Sequence, residues 1–166
     1  MLHMIERSID IALTTVEAGE NMETVHENVC TLETEPELCF NYATTEDLKN
    51  WGFSEGCFSG LLMDKKDVII QVITTYQNME GAKNAYNADV EYMKKNGYGR
   101  PVIIKTIGKS SVLLKNKQSD GTTYNLLFLK NNIFTGLSAK YKKDKPDNID
   151  HIIELAEKIE GKIKNY

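Results

Sequence analysis

Residues 111–141 read SVLLKNKQSDGTTYNLLFLKNNIFTGLSAKY, and they give the clearest β-strand signal of the chain. It contains three apolar-rich runs, at 111–117, 122–130 and 133–141. The dipeptides Asp120-Gly121 and Asn131-Asn132 separate the runs, and both tolerate the positive φ that tight hairpins require. In the third run the alternation places Leu137 on one face and Gly136 and Ser138 on the other. The stretch therefore predicts an antiparallel three-stranded meander.

One strand and two helices flank the predicted meander. Residues 67–76 (DVIIQVITTY) are rich in β-branched residues, which predicts a strand. Asn78 is a suitable N-cap for a helix that runs to about residue 96, with Gly97 as its C′ residue. Asp147 is the predicted N-cap of a last helix. The apolar stripes of the two helices are Ala82, Ala85, Tyr86, Val90 and Met93, and Ile149, Ile152, Ile153, Ala156, Ile159 and Ile163. These elements predict an α+β fold in which an antiparallel, meander-containing sheet is packed by two long amphipathic helices.

The N-terminal part of the chain is acidic and harder to assign. Two sets of apolar residues recur at helical spacing, one from Ile5 to Val16 and one from Met22 to Leu32. Residues 38–42 have the composition of a short strand, and Thr44 begins a capping box with Asp47. We therefore expect an acidic, helical segment over 1–43, packed on or appended to a core domain over 44–166.

The charge is divided unevenly along the 166 residues. The net charge is −4, but residues 1–60 hold twelve acids and two bases, whereas residues 92–145 hold twelve bases and two acids. Such a basic region is one candidate surface for nucleic acid or lipid headgroups. Eleven of its twelve bases are lysines, with Arg100 the exception, which suits diffuse electrostatics better than bidentate recognition. The alternative is that the acidic front lies near the basic middle and reduces its field.

The residues that could carry chemistry are few. Cys30, Cys39 and Cys57 match no common zinc spacing, and their odd number favours reduced thiols, with one bridge and a free thiol as the alternative. The sequence contains no phosphate-binding glycine motif, and its dense acidic residues lack the spacing of a calcium loop. We therefore predict no catalytic residue, no metal and no cofactor.

The chain resembles a family of small archaeal and bacterial domains, many of them exported or lipid-anchored, which is similar in turn to the PsbP-like superfamily of photosystem II extrinsic subunits. The strings that carry the resemblance are TTEDLKNWGF, VIIQVITTYQNMEGAKNAYN, IGKSS, NLLFLKNNIFTGL and IDHIIELAEKIEGKI, within about 44–163. Asn78, Glu80, Gly81 and Ala82 match the helix-entry motif of the family, and Ile107-Gly108 matches the turn before the meander. The resemblance implies a PsbP-like layered sandwich that acts as a binding or assembly module.

The leading hypothesis is a non-enzymatic module that binds a protein or a small ligand rather than nucleic acid. Its candidate binding residues are the aromatic residues of a glycine-rich loop and two residues of the basic region: Trp51, Phe53, Phe58, Tyr98 and Arg100. The alternatives are a small enzyme with a pocket near loop 51–57, and an anionic-surface binder that uses region 92–145. An enzyme should show convergent polar side chains with shifted pKa values in a concave pocket.

The sequence leaves the compartment open. No apolar run approaches the roughly 18 residues that a membrane span requires. No signal peptide is visible in the residues given. As it stands the sequence predicts a cytoplasmic protein, or an extracytoplasmic one if a signal or anchor has been removed.

Overall fold

The computed structural model describes residues 7–34, 36 and 39–164. Within them the chain forms five helices and seven strands. The helices are α1 (Ser8–Ile11), α2 (Thr15–Ala18), α3 (Thr45–Asn50), α4 (Met79–Lys95) and α5 (Asp147–Lys162). The strands are β1 (Met22–Cys30), β2 (Phe53–Met63), β3 (Asp67–Tyr76), β4 (Arg100–Val102), β5 (Ser110–Gln118), β6 (Gly121–Lys130) and β7 (Ile133–Tyr141).

All seven strands belong to one antiparallel sheet, in the order β1-β2-β3-β7-β6-β5-β4. The predicted meander is confirmed as β5, β6 and β7, and both of its hairpins have two-residue loops. The positive φ angles fall on Asn131 (54°) and Gly121 (145°). A one-residue slip would turn every side chain of a strand to the opposite face, so these short loops fix the faces of the sheet.

The predicted fold class is wrong, because the sheet rather than a pair of packed helices dominates the fold. The N-terminal segment supplies a strand where a helix was expected: β1 pairs with β2, which pairs in turn with β3, and the sheet reaches seven strands. β1 is an edge strand exposed along most of its length, so it needs no apolar alternation. The chance spacing of Met22, Val25 and Val29 therefore resembled a helix.

The remaining N-terminal residues also differ from the prediction. A single helix was expected up to Val16, but α1 and α2 are separate single turns, and Ile5 lies outside the described residues. Of the predicted strand at 38–42, residues 39–42 are irregular and Leu38 lies outside the described residues. The capping box of Thr44 and Asp47 is confirmed at the start of α3. The proposed division between 43 and 44 stays a prediction.

The two faces of the sheet carry separate apolar cores. α5, with α1 and α2, covers the face that we call the α5 face, which presents Leu126, Phe128, Leu137, Ala139 and Tyr141. α4 covers the opposite α4 face, which presents Leu127, Leu129 and Phe134. The predicted apolar stripes of both helices are confirmed by their packing in these cores.

The ends of the helices follow their capping chemistry in part. The Asn78 side chain accepts a hydrogen bond from the Gly81 amide at 2.9 Å, which confirms this N-cap. Gly97 has φ 72°, as the C′ position requires. The prediction that Asp147 is the N-cap of α5 is wrong, because Pro146 occupies that position. Asp147 is the first helical residue, where its negative charge interacts favourably with the helix dipole.

The cysteines form one bridge and leave one thiol. Cys30 and Cys39 are joined by a disulfide, and Cys57 is free and buried. The expectation of three reduced thiols is therefore wrong, and the alternative of one bridge with a free thiol is confirmed. Burial raises the pKa of the Cys57 thiol to about 12, so this thiol is unreactive at neutral pH.

Candidate functional site

A cavity of about 240 Å³ lies on the α4 face of the sheet. Its floor is formed by β2, β3, β6 and β7, its roof by α4, and its walls by residues 39–42 and Tyr98. The lining is mostly apolar and aromatic: Cys39, Phe40, Asn41, Tyr42, Phe58, Ile70, Val72, Asp89, Met93, Tyr98, Asn125, Leu127, Phe134, Gly136, Leu137 and Ser138. We call it the α4 cavity.

Two small residues of β7 explain why the cavity exists. Gly136 and Ser138 lie on the same side of β7, two residues apart, and both line the cavity. A Cβ atom on Gly136 would lie 3.3 Å from Leu127 Cδ2, so even one methyl group would enter the space above the sheet. On the opposite side of the same strand, Ile133 and Ala139 are buried in the other core. The alternation of β7 thus places Gly136 and Ser138 together beneath α4.

The disulfide holds the aromatic wall of the cavity in place. It ties the end of β1 to Cys39, the first described residue of that wall, with the two Cα atoms 6.5 Å apart. The ring of Phe40 then packs edge-on against Phe53 at 4.9 Å, and Tyr42 packs against Phe134 at 6.2 Å. Residues without regular secondary structure are in this way fixed over the sheet.

Asp89 is the unusual side chain of the site. It lines the cavity from α4 with only 6% of its surface exposed. Within the described residues, its Oδ1 atom has no hydrogen-bond partner. Burial raises the pKa of Asp89 to about 7, because removal from water disfavours the carboxylate. The same part of the chain has two other unpartnered buried oxygens, the hydroxyls of Tyr76 and Thr135, but neither lines the cavity and neither is a carboxyl group.

The other titratable groups at the cavity are hydroxyls that stay neutral. Burial raises the pKa of Tyr42 well above its ordinary value, and the nearby Tyr76 and Asp89 raise it further. Burial also raises the pKa of Tyr98, and Tyr92 and Asp89 add to this effect. Asn125 donates to the Tyr98 carbonyl at 3.3 Å. The site therefore offers aromatic surface, a few neutral polar groups and one carboxyl group.

The predicted site residues are distributed between this cavity and other places. Phe58 and Tyr98 line the α4 cavity. Phe53 is buried in the core, and Trp51 packs against the same core at the end of α3. Arg100 is exposed on β4, beside Gly99 and Lys115 and outside the cavity. The structure brings two of the five together, and no observation tests a binding role for any of them.

Sequence reasoning missed Asp89, although a signal was present. Asp89 lies four residues after Ala85, three after Tyr86 and four before Met93, so it occupies a position of the buried stripe of α4. An acidic residue on an apolar stripe is rarely buried without a partner. Tyr42 and Ser138 gave no comparable signal, because only the folded chain brings them to α4.

Some lysines of the basic region pair with nearby acids. Lys115 pairs with Asp144 at 3.1 Å, Lys140 pairs with Asp120 at 2.6 Å, and Lys105 pairs with Glu157 of α5. From the acidic front, Glu17 pairs with Lys162 at 2.7 Å rather than with the basic region. The described ion pairs of 92–145 thus lie within that region or join it to α5.

Neither a metal-binding cluster nor a membrane-spanning helix is found among the described residues. Among residues 7–34, 36 and 39–164, no group of three or more His, Cys, Asp or Glu side chains is placed to hold a metal ion. No helix in this part of the chain is both long and apolar enough to cross a membrane.

Comparison with known proteins identifies a shared fold. No family model matches the chain. No curated protein matches it either. Among solved structures, the chain is similar to the crystal structure of the extracellular domain of PknH from Mycobacterium tuberculosis, with a TM-score of 0.61 and 9% sequence identity. The similarity covers 95% of this chain and 98% of that one. At this identity the likeness shows the fold alone, and the resemblance to the PsbP-like superfamily stays a prediction.

Proposed function

We propose that this protein is an extracytoplasmic binding module that holds a small, mostly apolar ligand in the α4 cavity. The observation that carries the proposal is the cavity itself, which lies above two small residues of β7 and is lined by aromatic rings. Pockets for small molecules are concave and mostly apolar, with a few polar groups that fix the orientation of the ligand.

The volume of the cavity limits the size of the ligand. An apolar space of roughly 150 Å³ holds a benzene molecule, and pockets for drug-sized ligands measure roughly 300–1,000 Å³. The 240 Å³ of the α4 cavity lie between these values. A compound with one ring and a short tail fits this range.

Two observations support a location outside the cytoplasm. The Cys30–Cys39 disulfide suits an oxidising compartment, because cytosolic proteins keep their thiols reduced. The protein of similar fold is described as an extracellular domain.

A binding role suits the site better than an enzymatic role does. A carboxyl group with a pKa of about 7 lies in the range of a general base. However, the titratable partners at the described lining are Tyr42 and Tyr98, whose raised pKa values keep them protonated near neutral pH. One acid among neutral groups supplies a contact for a ligand more readily than a catalytic pair.

Nuclear magnetic resonance of the methionine methyl groups tests the proposed function. Met93 lines the cavity, whereas Met79 at the start of the same helix is 52% exposed and serves as an internal control. Titration with toluene, phenol or phenethyl alcohol should shift the Met93 signal saturably and leave the Met79 signal unchanged.

A pair of variants locates the binding. Ser138→Leu fills the cavity from β7 and should abolish the shift, whereas Thr24→Leu adds the same side chain at an exposed position of β1 and should not. If none of the three compounds shifts Met93 at millimolar concentration, the proposed function is wrong.

A further inference from the structure

The α4 cavity contains a negative group without a partner. A carboxylate buried in protein is normally paired or accepts hydrogen bonds, because isolation from water is costly. Asp89 is more than nine-tenths buried, lines the cavity, and leaves Oδ1 unpartnered within the described residues. None of the ion pairs in this part of the chain includes Asp89.

The groups around Asp89 supply no positive charge. The titratable groups that interact with it are Tyr42 from the wall, Tyr76 from β3 and Tyr98 after α4. β6 and β7 present Asn125 and Ser138, which do not ionise. Among the described lining residues, the charge of the cavity is therefore that of Asp89 alone.

The rings of the cavity favour the same sign of ligand. Tyr42, Phe58, Tyr98 and Phe134 all line the space, and the face of an aromatic ring attracts a cation. A hard metal ion needs six or more oxygen ligands, which one carboxyl group and aromatic surface do not provide. An organic ammonium group on an apolar body matches both the carboxylate and the rings.

We infer that the α4 cavity selects a small organic ammonium ligand, whose N–H group donates to the Asp89 carboxylate while its apolar body lies against the rings. The inference rests on the proposed function and adds the chemical class of the ligand to it. The neutral alcohol counterpart of such a ligand would donate one hydrogen bond in the same space but leave the charge of the carboxylate uncompensated. An anionic counterpart would be repelled.

Three compounds that share a phenyl group test the inference: phenethylamine, phenethyl alcohol and phenylacetate. Titration calorimetry of the full chain at pH 8 measures each affinity. Because the ammonium group adds an opposite charge to the hydrogen bond that the alcohol also donates, phenethylamine should bind at least about tenfold more tightly than phenethyl alcohol. Phenylacetate should bind more weakly than either.

Asp89→Asn keeps the shape of the side chain and removes its charge. In this variant the preference for the amine over the alcohol should vanish, while the alcohol should bind at least as well as before. Glu91→Gln removes the same charge from an exposed position of α4 and should keep the preference. Ser138→Leu should abolish binding of both compounds while the charge of Asp89 remains.

The outcomes separate the inference from the proposed function. If the alcohol binds in the cavity and the amine binds no better, the inference is wrong and the proposed function stands. Equal loss of the preference in Asp89→Asn and Glu91→Gln would also overturn the inference, because a general electrostatic attraction would then explain it. If no compound binds, the inference and the proposed function both fail.

Discussion

Gln71 on the α5 face of the sheet and Asp89 opposite the α4 face are both buried, but they differ in their hydrogen-bond partners. On the α5 face, Gln71 is fully buried and its amide is satisfied: it accepts from the Leu13 amide at 2.8 Å and donates to the Leu13 carbonyl at 2.9 Å and to Ser59 Oγ at 2.8 Å. On the α4 face, Asp89 is almost as buried and Oδ1 lacks a partner within the described residues. Gln71 fastens the N-terminal segment to the sheet, whereas Asp89 faces a cavity.

The difference indicates which face supplies stability and which supplies a site. The α5 face is packed with large side chains, and the Gln71 amide on it is hydrogen-bonded to the backbone of the N-terminal segment. The α4 face has Gly136 and Ser138 where the other face has Leu137 and Ala139, and its polar group is a cost to the folded state. Substitutions on the two faces should therefore change the free energy of unfolding by different amounts and with different signs.

The largest effect is expected from truncation on the filled face. Ile152→Ala should lower the free energy of unfolding by about 2–5 kcal/mol, since this fully buried side chain leaves a void when shortened. Met93→Ala, at the edge of an existing cavity, should cost less than half as much. Urea denaturation of both variants measures the difference, and equal losses would show that the two faces are packed alike.

Removal of the Asp89 charge should stabilise the protein in a pH-dependent way. The folded pKa of about 7 lies above the ordinary value of 3.8, so the folded chain holds this proton more tightly than the unfolded chain. The Asp89 contribution to the free energy of unfolding therefore falls as the pH rises from about 4 to 7. Asp89→Asn should be more stable than the wild type at pH 8, by up to about 4 kcal/mol at 1.36 kcal/mol per pKa unit, and similar to it near pH 4. A stability difference that is the same at both pH values would contradict this.

Replacement of Gln71 should destabilise the protein, whereas replacement of Asp89 should stabilise it. Gln71→Leu leaves the backbone groups of Leu13 unpaired in the core and should lower the free energy of unfolding by about 3 kcal/mol, since each buried unpaired group costs about 1–3 kcal/mol. The loss should be similar at pH 5 and pH 8, because a glutamine does not ionise. Thermal unfolding at the two pH values makes the comparison, and a stabilised Gln71→Leu variant would remove the distinction between the faces.

Loss of the disulfide should affect the α4 face selectively. A cross-link that closes a loop of this length is worth roughly 2–3 kcal/mol, so Cys30→Ser with Cys39→Ser should lower the free energy of unfolding by this amount. Because the bridge anchors the aromatic wall, the double variant should also bind phenethyl alcohol more weakly. Cys57→Ser, on the α5 face, is the control and should leave binding unchanged. Unaltered affinity in the double variant would show that the bridge does not position the wall.

The sequence was a good guide to the elements that pack an apolar face against one of the two cores. The meander, β3 and the stripes of α4 and α5 follow apolar patterns that the core preserves. It failed at β1, where an exposed edge strand carries no such pattern, and this failure led to the wrong fold class. The sequence also predicted part of the candidate site. Phe58 and Tyr98 were among the candidate binding residues, and Asp89 occupies a position on the apolar stripe of α4. The positions of Tyr42 and Gly136 relative to α4 depend on strand order and on the disulfide, which local patterns do not encode.

A measurement of the Asp89 pKa tests whether this carboxyl group is buried in the α4 cavity without a partner. Carbon-13 nuclear magnetic resonance of the Asp89 carboxyl group, followed from pH 3 to pH 9 in the full chain, gives this value directly. We expect a midpoint near 7, which phenethylamine should lower because the bound ammonium group favours the carboxylate. A midpoint near 4 would contradict this expectation, since the carboxyl group would then be hydrated or already paired.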